Sequence, residues 1–157
     1  MEQAQDHPNI NRNIHPPLVA LTFIVTAHLL GWFVRIPFGV PDGIETIGFA
    51  LITIGFLFAV GAFWEFRKAH TTLDPHGSVK TLVTKGVYQI TRNPIYLGFL
   101  LMVIGFPLNS GLYSGIVVAP FFMVTLNRLV IEKEEAYLEK KFGETYTGYR
   151  SSVRRWL

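Results

Sequence analysis

The chain contains no cysteine, which excludes disulfides, thiolate metal sites and a cysteine nucleophile. Charge is scarce. Only 16% of the 157 residues are Asp, Glu, Lys or Arg, against roughly 25% in ordinary soluble domains. With a net charge of only +3 and no dense basic cluster, no nucleic-acid surface is expected. No pair of histidines has zinc-ligand spacing beside further ligands, so no metal is expected either. Internal repeats and low-complexity tracts are missing. The first apolar run has no basic region before it and no small-residue cleavage site after it, so it reads as a retained helix rather than a removed signal peptide.

What is plentiful is apolar. Half of the residues are hydrophobic and the mean hydropathy is +0.33, the balance of a polytopic membrane protein. The length is that of one domain, 1–157, divided into a polar tail over 1–17, a helical hairpin over 18–66 and a remainder over 67–157. Four apolar segments stand out: Leu18 to Val34, with Pro16 and Pro17 suited to a helix start; Ile44 to Trp64, opened by Pro41-Asp42-Gly43; Pro94 to Leu108; and Leu112 to Ile131. Asn109-Ser110-Gly111 turns the third into the fourth as an antiparallel hairpin. A bilayer core of ~30 Å needs ~20 helical residues. The third segment is short of that, so it begins below the hydrocarbon or is shielded by protein. The pattern predicts an all-α polytopic bundle of about four transmembrane helices, capped by the central loop and the C-terminal helices.

The placement of charge gives an orientation. Arg67, Lys68, Lys80, Lys85 and Arg92 lie between segments two and three, and Lys133, Lys140, Lys141, Arg150, Arg154 and Arg155 follow segment four. The first connection sets Arg35 against Asp42, and the third has no charge. The positive-inside rule then puts both termini and the central loop in the cytoplasm, in an integral protein of the cell (inner) membrane. The loop from Arg67 to Asn93 is too long for a plain connector, and Pro75, Gly77 and Gly86 rule out one continuous helix. After Glu132 the sequence reads as an amphipathic helix, a break at Phe142-Gly143 and a short helix through Tyr146 and Tyr149. Trp156 beside Arg154 and Arg155 suits a membrane interface.

Two stretches carry candidate chemistry. Asn93-Pro94 is a helix start: Asn caps free N–H groups and Pro tolerates the first position. The positive end of that helix, preceded by Arg92, suits a carboxylate or phosphate. Gly98, one turn in, lets another group approach the backbone. An ordinary capped helix with a snorkelling arginine fits the same residues. In the second stretch Ile131, Leu138 and Phe142 fall on one helical stripe, and Glu135, four residues after Ile131 and three before Leu138, sets a carboxylate within that apolar face; Arg128 shares the face as a partner for it. Inward charge is costly unless used or paired; a solvated helix is the other reading, and the better one for Glu139 and Lys140. His28, inside the first apolar segment, reads as a hydrogen bond to a neighbouring helix. His70 and His76 are loop candidates for a base. Gly48, Gly55, Ala59 and Ala62 recur on one side of the second helix and favour close helix packing. Pro120 bends the fourth segment.

The C-terminal half, from about Thr71 to Leu157, resembles the integral-membrane methyltransferases related to isoprenylcysteine carboxyl methyltransferase and phospholipid N-methyltransferases. The likeness rests on Gly86-x-Tyr88, Arg92-Asn93-Pro94-x-Tyr96-x-Gly98, Glu134-Glu135-x-x-Leu138 and Phe142-Gly143-x-x-Tyr146-x-x-Tyr149. It implies S-adenosylmethionine at the cytoplasmic membrane face, with Tyr88, Arg92, Asn93, Pro94, Tyr96 and Gly98 shaping one side of its site and Glu134 and Glu135 the other. Glu135, Arg92 and Arg128 become the candidate catalytic residues, and the acceptor a lipophilic carboxylate, amine, thiol or phenol. The sequence departs from many relatives in having Asn93 where they have His, and Val130 where the isoprenylcysteine enzymes have Arg. Two rival readings stay open: an NADPH-dependent membrane reductase of the sterol reductase type, and a non-enzymatic membrane scaffold.

Overall fold

Prolines and glycines set where the helices begin and turn. The computed structural model describes residues 8, 10–11, 13–34, 39, 41–71 and 79–157; Arg35, Pro75, His76 and Gly77 lie outside them. Pro16 and Pro17 occupy the first turn of α1 (Pro16–Phe33), where a missing N–H costs no hydrogen bond. Gly43, at φ 87°, enters α2 (Ile44–Lys68). That helix runs past Trp64 to end on Arg67 and Lys68, which complement its negative end. After a 3₁₀ turn at Gly86–Gln89, Pro94 opens α3 (Pro94–Asn109). The Ser110 and Leu112 N–H groups each donate to the Pro107 carbonyl at 2.9 Å. With Gly111 at φ 70°, they close the tight turn into α4 (Ser114–Leu126).

The fourth apolar segment does not stop where its apolar residues stop. A π turn, Asn127–Ile131, carries it into α5 (Glu132–Phe142), and the run Ser114–Phe142 is 29 residues long. Gly143, at φ 53°, breaks it before α6 (Glu144–Ser152). Among the described residues three helices are long and apolar enough to cross a membrane, namely α1, α2 and this run, and no strand occurs. The protein is an all-α integral membrane bundle. Of α5's 11 residues, seven are charged, so α5 lies beyond the membrane-spanning part of its run, which ends at Ile131.

The short α3 is the centre of the bundle. Its 16 residues reach about 24 Å at ~1.5 Å each, less than the hydrocarbon thickness. It packs on α1, α2 and α4, and nine of its residues are buried. Shielding by protein therefore resolves the length problem noted from the sequence. Two reciprocal glycine pairs bring α2 and α3 together antiparallel. A Cβ on Gly98 would lie 2.5 Å from the Gly55 carbonyl oxygen, and one on Gly105 would lie 2.8 Å from that of Gly48. The small residues of α2 thus do pack a helix. On the other flank Phe23 meets Phe122 edge-on at 5.4 Å, above a core of Val103, Leu126, Val130 and Ile131 that is wholly buried. Trp32, Phe33, Phe56, Leu57, Trp64 and Phe121 face outward, as lipid contact requires. His28 makes the expected helix-to-neighbour link: its Nδ1 is 2.8 Å from the Ile24 carbonyl and its Nε2 3.3 Å from Ser110 Oγ.

Candidate active site

At the end of the bundle where α3 begins, residues 91–93 are bound by a segment more than sixty residues away. The Arg92 N–H donates to the Arg154 carbonyl at 2.9 Å. Thr91 Oγ1 and Asn93 Nδ2 both donate to the Arg155 carbonyl at 3.0 Å. This corrects the expected role of Asn93. Its side chain does not cap α3; instead its Nδ2 donates to the Arg155 carbonyl. The first turn of α3 keeps its free N–H groups, and Asn93, Pro94, Ile95 and Tyr96 of that turn line a cavity of about 120 Å³.

The opposite wall comes from α5. Glu135 is buried and receives two guanidinium groups. Arg155 grips it with Nε on Oε1 at 3.0 Å and Nη2 on Oε2 at 2.6 Å, and Arg92 Nη2 reaches Oε1 at 3.2 Å. The Arg92 side chain is only 9% exposed, yet its Nε and Nη1 are buried with no hydrogen-bond partner among the described residues. Buried guanidinium donors are rarely left so unless something else meets them. Glu134, next in the chain, turns to α3 and accepts a 2.7 Å hydrogen bond from Tyr96 Oη. Burial pushes its carboxyl up to about 7; the Tyr96 bond lowers it and the Glu135 charge raises it.

Aromatic and aliphatic side chains share the remaining wall. Tyr88, Tyr146, Tyr149 and Phe66 line the cavity together with Leu82, Val83 and Leu138. Gly86, at φ 61° and tight against the Glu65 carboxylate, begins the turn that delivers Tyr88. Its ring sits 5.7 Å from Phe66, and its carbonyl accepts from Tyr149 Oη at 2.6 Å. Burial, then the Glu134 charge, raises the Tyr88 hydroxyl well above its ordinary value. Burial also leads in pushing Tyr146 up to about 12. All of these phenols stay protonated near neutrality.

The structure brings Tyr88, Arg92, Asn93, Pro94, Tyr96, Glu134 and Glu135 to one cavity and leaves two candidates elsewhere. Arg128 is exposed and makes no pair with Glu135. The π turn, with its i to i+5 hydrogen bonds, inserts an extra residue between them and takes them off a common face. Gly98 faces α2 rather than the cavity; the group that approaches it is the Gly55 backbone. His70 is exposed at φ 48° and lines no wall of the cavity. Sequence reasoning did not single out Arg155 as a site residue, and it took Tyr146 and Tyr149 only as motif positions. The Tyr146-x-x-Tyr149 spacing, which puts both rings on one face of α6, was the available signal.

Fold and cavity define a helical membrane protein with a charged, aromatic-walled pocket at the mouth of its central helix. The phospholipid methyltransferase family matches residues 44–145, and the chain belongs to that family. It is 39% identical over 75 residues to protein-S-isoprenylcysteine O-methyltransferase B of Arabidopsis thaliana, covering 46% of this chain and 36% of that protein. It is 29% identical over 119 residues to protein-S-isoprenylcysteine O-methyltransferase A of the same plant, covering 70% and 57%. An uncharacterised protein of Haemophilus influenzae is 39% identical over 66 residues, which is 40% of this chain and all of that one. The chain thus spans about a third to a little over half of the two plant methyltransferases. No solved structure matches.

Proposed function

We propose that the protein transfers a methyl group from S-adenosylmethionine to a lipophilic acceptor at the cytoplasmic face of the cell membrane, with both termini on that side. The observation that carries this reading is the buried Arg92 guanidinium, held on one edge by Glu135, with Nε and Nη1 that have no hydrogen-bond partner among the described residues, beside a cavity that Arg92 lines together with Glu134 and five tyrosines. These residues fit the cofactor's chemistry. Arg92 and the uncapped start of α3 suit its carboxylate, Glu134 its amine or ribose, and the tyrosine faces its sulfonium and adenine. When bound, the group supplies an electrophilic methyl carbon.

The protein's own task is then alignment and dryness. Leu82, Val83 and Leu138 keep water from the reacting atoms, and the exposed apolar faces of the bundle let an acceptor arrive from the bilayer. A carboxylate or thiolate acceptor needs no base. For an amine or phenol, Glu134 is the better base, because Glu135 is committed to two guanidinium groups whereas the Glu134 carboxyl sits near neutrality. Family membership favours methyl transfer over the reductase and scaffold alternatives. Two measurements test the reading together: stabilisation of the detergent-purified protein by S-adenosylhomocysteine, and incorporation of labelled methyl from S-adenosylmethionine into a membrane lipid extract. Stabilisation with incorporation is expected; neither one, or stabilisation by NADPH instead, overturns it.

A further inference from the structure

Glu135 has one carboxylate and two guanidinium partners, and they do not share it evenly. Arg155 takes both oxygens, at 3.0 and 2.6 Å, whereas Arg92 is left with a single contact at 3.2 Å through Nη2. Alone with Arg92, a buried glutamate would form the usual two-point fork with it, and that fork would take, besides Nη2, one of the two nitrogens that now have no partner among the described residues. The second guanidinium also leaves the trio with a surplus positive charge. Both effects trace to Arg155, which lies beyond the family match at 44–145.

We propose that Arg155 is a positioning residue. By occupying Glu135 it keeps the Arg92 guanidinium, which lies beside the Tyr146 hydroxyl, from being consumed by that carboxylate and so leaves donor capacity for an anionic group of the ligand, and ligand carboxylate recognition then depends on a side chain that does not itself line the cavity. The inference rests on the cofactor reading above. The backbone around Arg155 is fixed independently of its side chain. Its carbonyl accepts from Thr91 and Asn93, the Arg154 carbonyl accepts from Arg92, and Trp156 packs on the hydrophobic core. Substituting the guanidinium therefore leaves the segment in place.

The test compares two ligands by calorimetry on the full-length protein in detergent: S-adenosylhomocysteine and its decarboxylated analogue, 5′-(3-aminopropylthio)-5′-deoxyadenosine. The wild type is expected to prefer the first, because of the carboxylate. Arg155→Met lowers that preference by about tenfold or more, the size of a charge-assisted hydrogen bond, while affinity for the decarboxylated ligand stays within about threefold. Arg155→Lys, a point charge without the fork, restores part of the preference. A structural role alone would weaken both ligands equally, and that result, or an unchanged preference, overturns the proposal. Failure of the wild type to bind either ligand would instead count against the cofactor reading.

Discussion

Removing Glu135 should destabilise the protein far more than removing Arg92, although the two touch each other. In Glu135→Ala the Arg92 guanidinium, 9% exposed, loses the carboxylate that pairs with it among the described residues and is left largely buried. Breaking a buried pair from one side costs about 3–5 kcal/mol. Arg155 is 30% exposed and can rehydrate, so the low end of that range, about 3 kcal/mol, is expected. In Arg92→Met, Glu135 keeps both contacts to Arg155, and the loss is that of one long hydrogen bond, about 1 kcal/mol. The double variant Arg92→Met/Glu135→Leu removes the stranded charge and should cost less than the sum of the two single changes, with a coupling of at least about 1 kcal/mol. Equilibrium unfolding in mixed micelles, titrated with a denaturing detergent and without ligand, measures all three. A Glu135→Ala cost under about 1 kcal/mol, an Arg92→Met cost as large as that of Glu135→Ala, or strict additivity would refute the reasoning.

Gly98→Ala should destabilise by roughly 1–3 kcal/mol in the same assay, since its methyl would meet the Gly55 carbonyl at 2.5 Å. Gly148→Ala on α6, where a Cβ meets nothing, should be neutral or gain up to about 1 kcal/mol from helix propensity; equal effects at the two sites would contradict the close α2–α3 contact. Glu134 gives a pH signature. Its carboxyl is ionised only above about 7, so the affinity for S-adenosylhomocysteine, through its amine, should rise as pH goes from 6 to 8. Tyr96→Phe removes the bond that lowers this group and should move the midpoint upward; a flat profile, or a downward move, in a calorimetric pH series would be inconsistent with the amine contact.

The helices were legible because burial in lipid leaves runs of apolar residues that only charges and turn residues interrupt. The starts at Pro16 and Pro94, the turn at Gly111 and the break at Gly143 all follow from backbone preferences that one residue carries. The sequence also showed that α3 is too short, though not that it is central, since that depends on which helices close around it. The errors share one cause. Asn93 looks like a cap, but its side chain is used as a donor to a carbonyl from residue 155. Arg128 shares a face with Glu135 only if the helix stays regular, and the π turn has no local sequence mark. Gly98 announces a close approach but not by what. Arg155 was hidden most completely. Beside Arg154 and Trp156 it has the composition of a membrane-interface residue, and its partners are 20 residues away and more than 60 residues away along the chain.

The join between residues 91–93 and 153–156 bears on how the protein is made. A ribosome that has delivered α1, α2 and α3 to the membrane has produced every residue of one wall, but Thr91 and Asn93 must wait for a carbonyl not yet translated. Without residue 155, Arg92 and Glu135 are a charged couple without their clamp. Closure of the two walls therefore waits on the segment that carries Arg154 and Arg155, and a chain cut short before it would lack the join to residues 91–93.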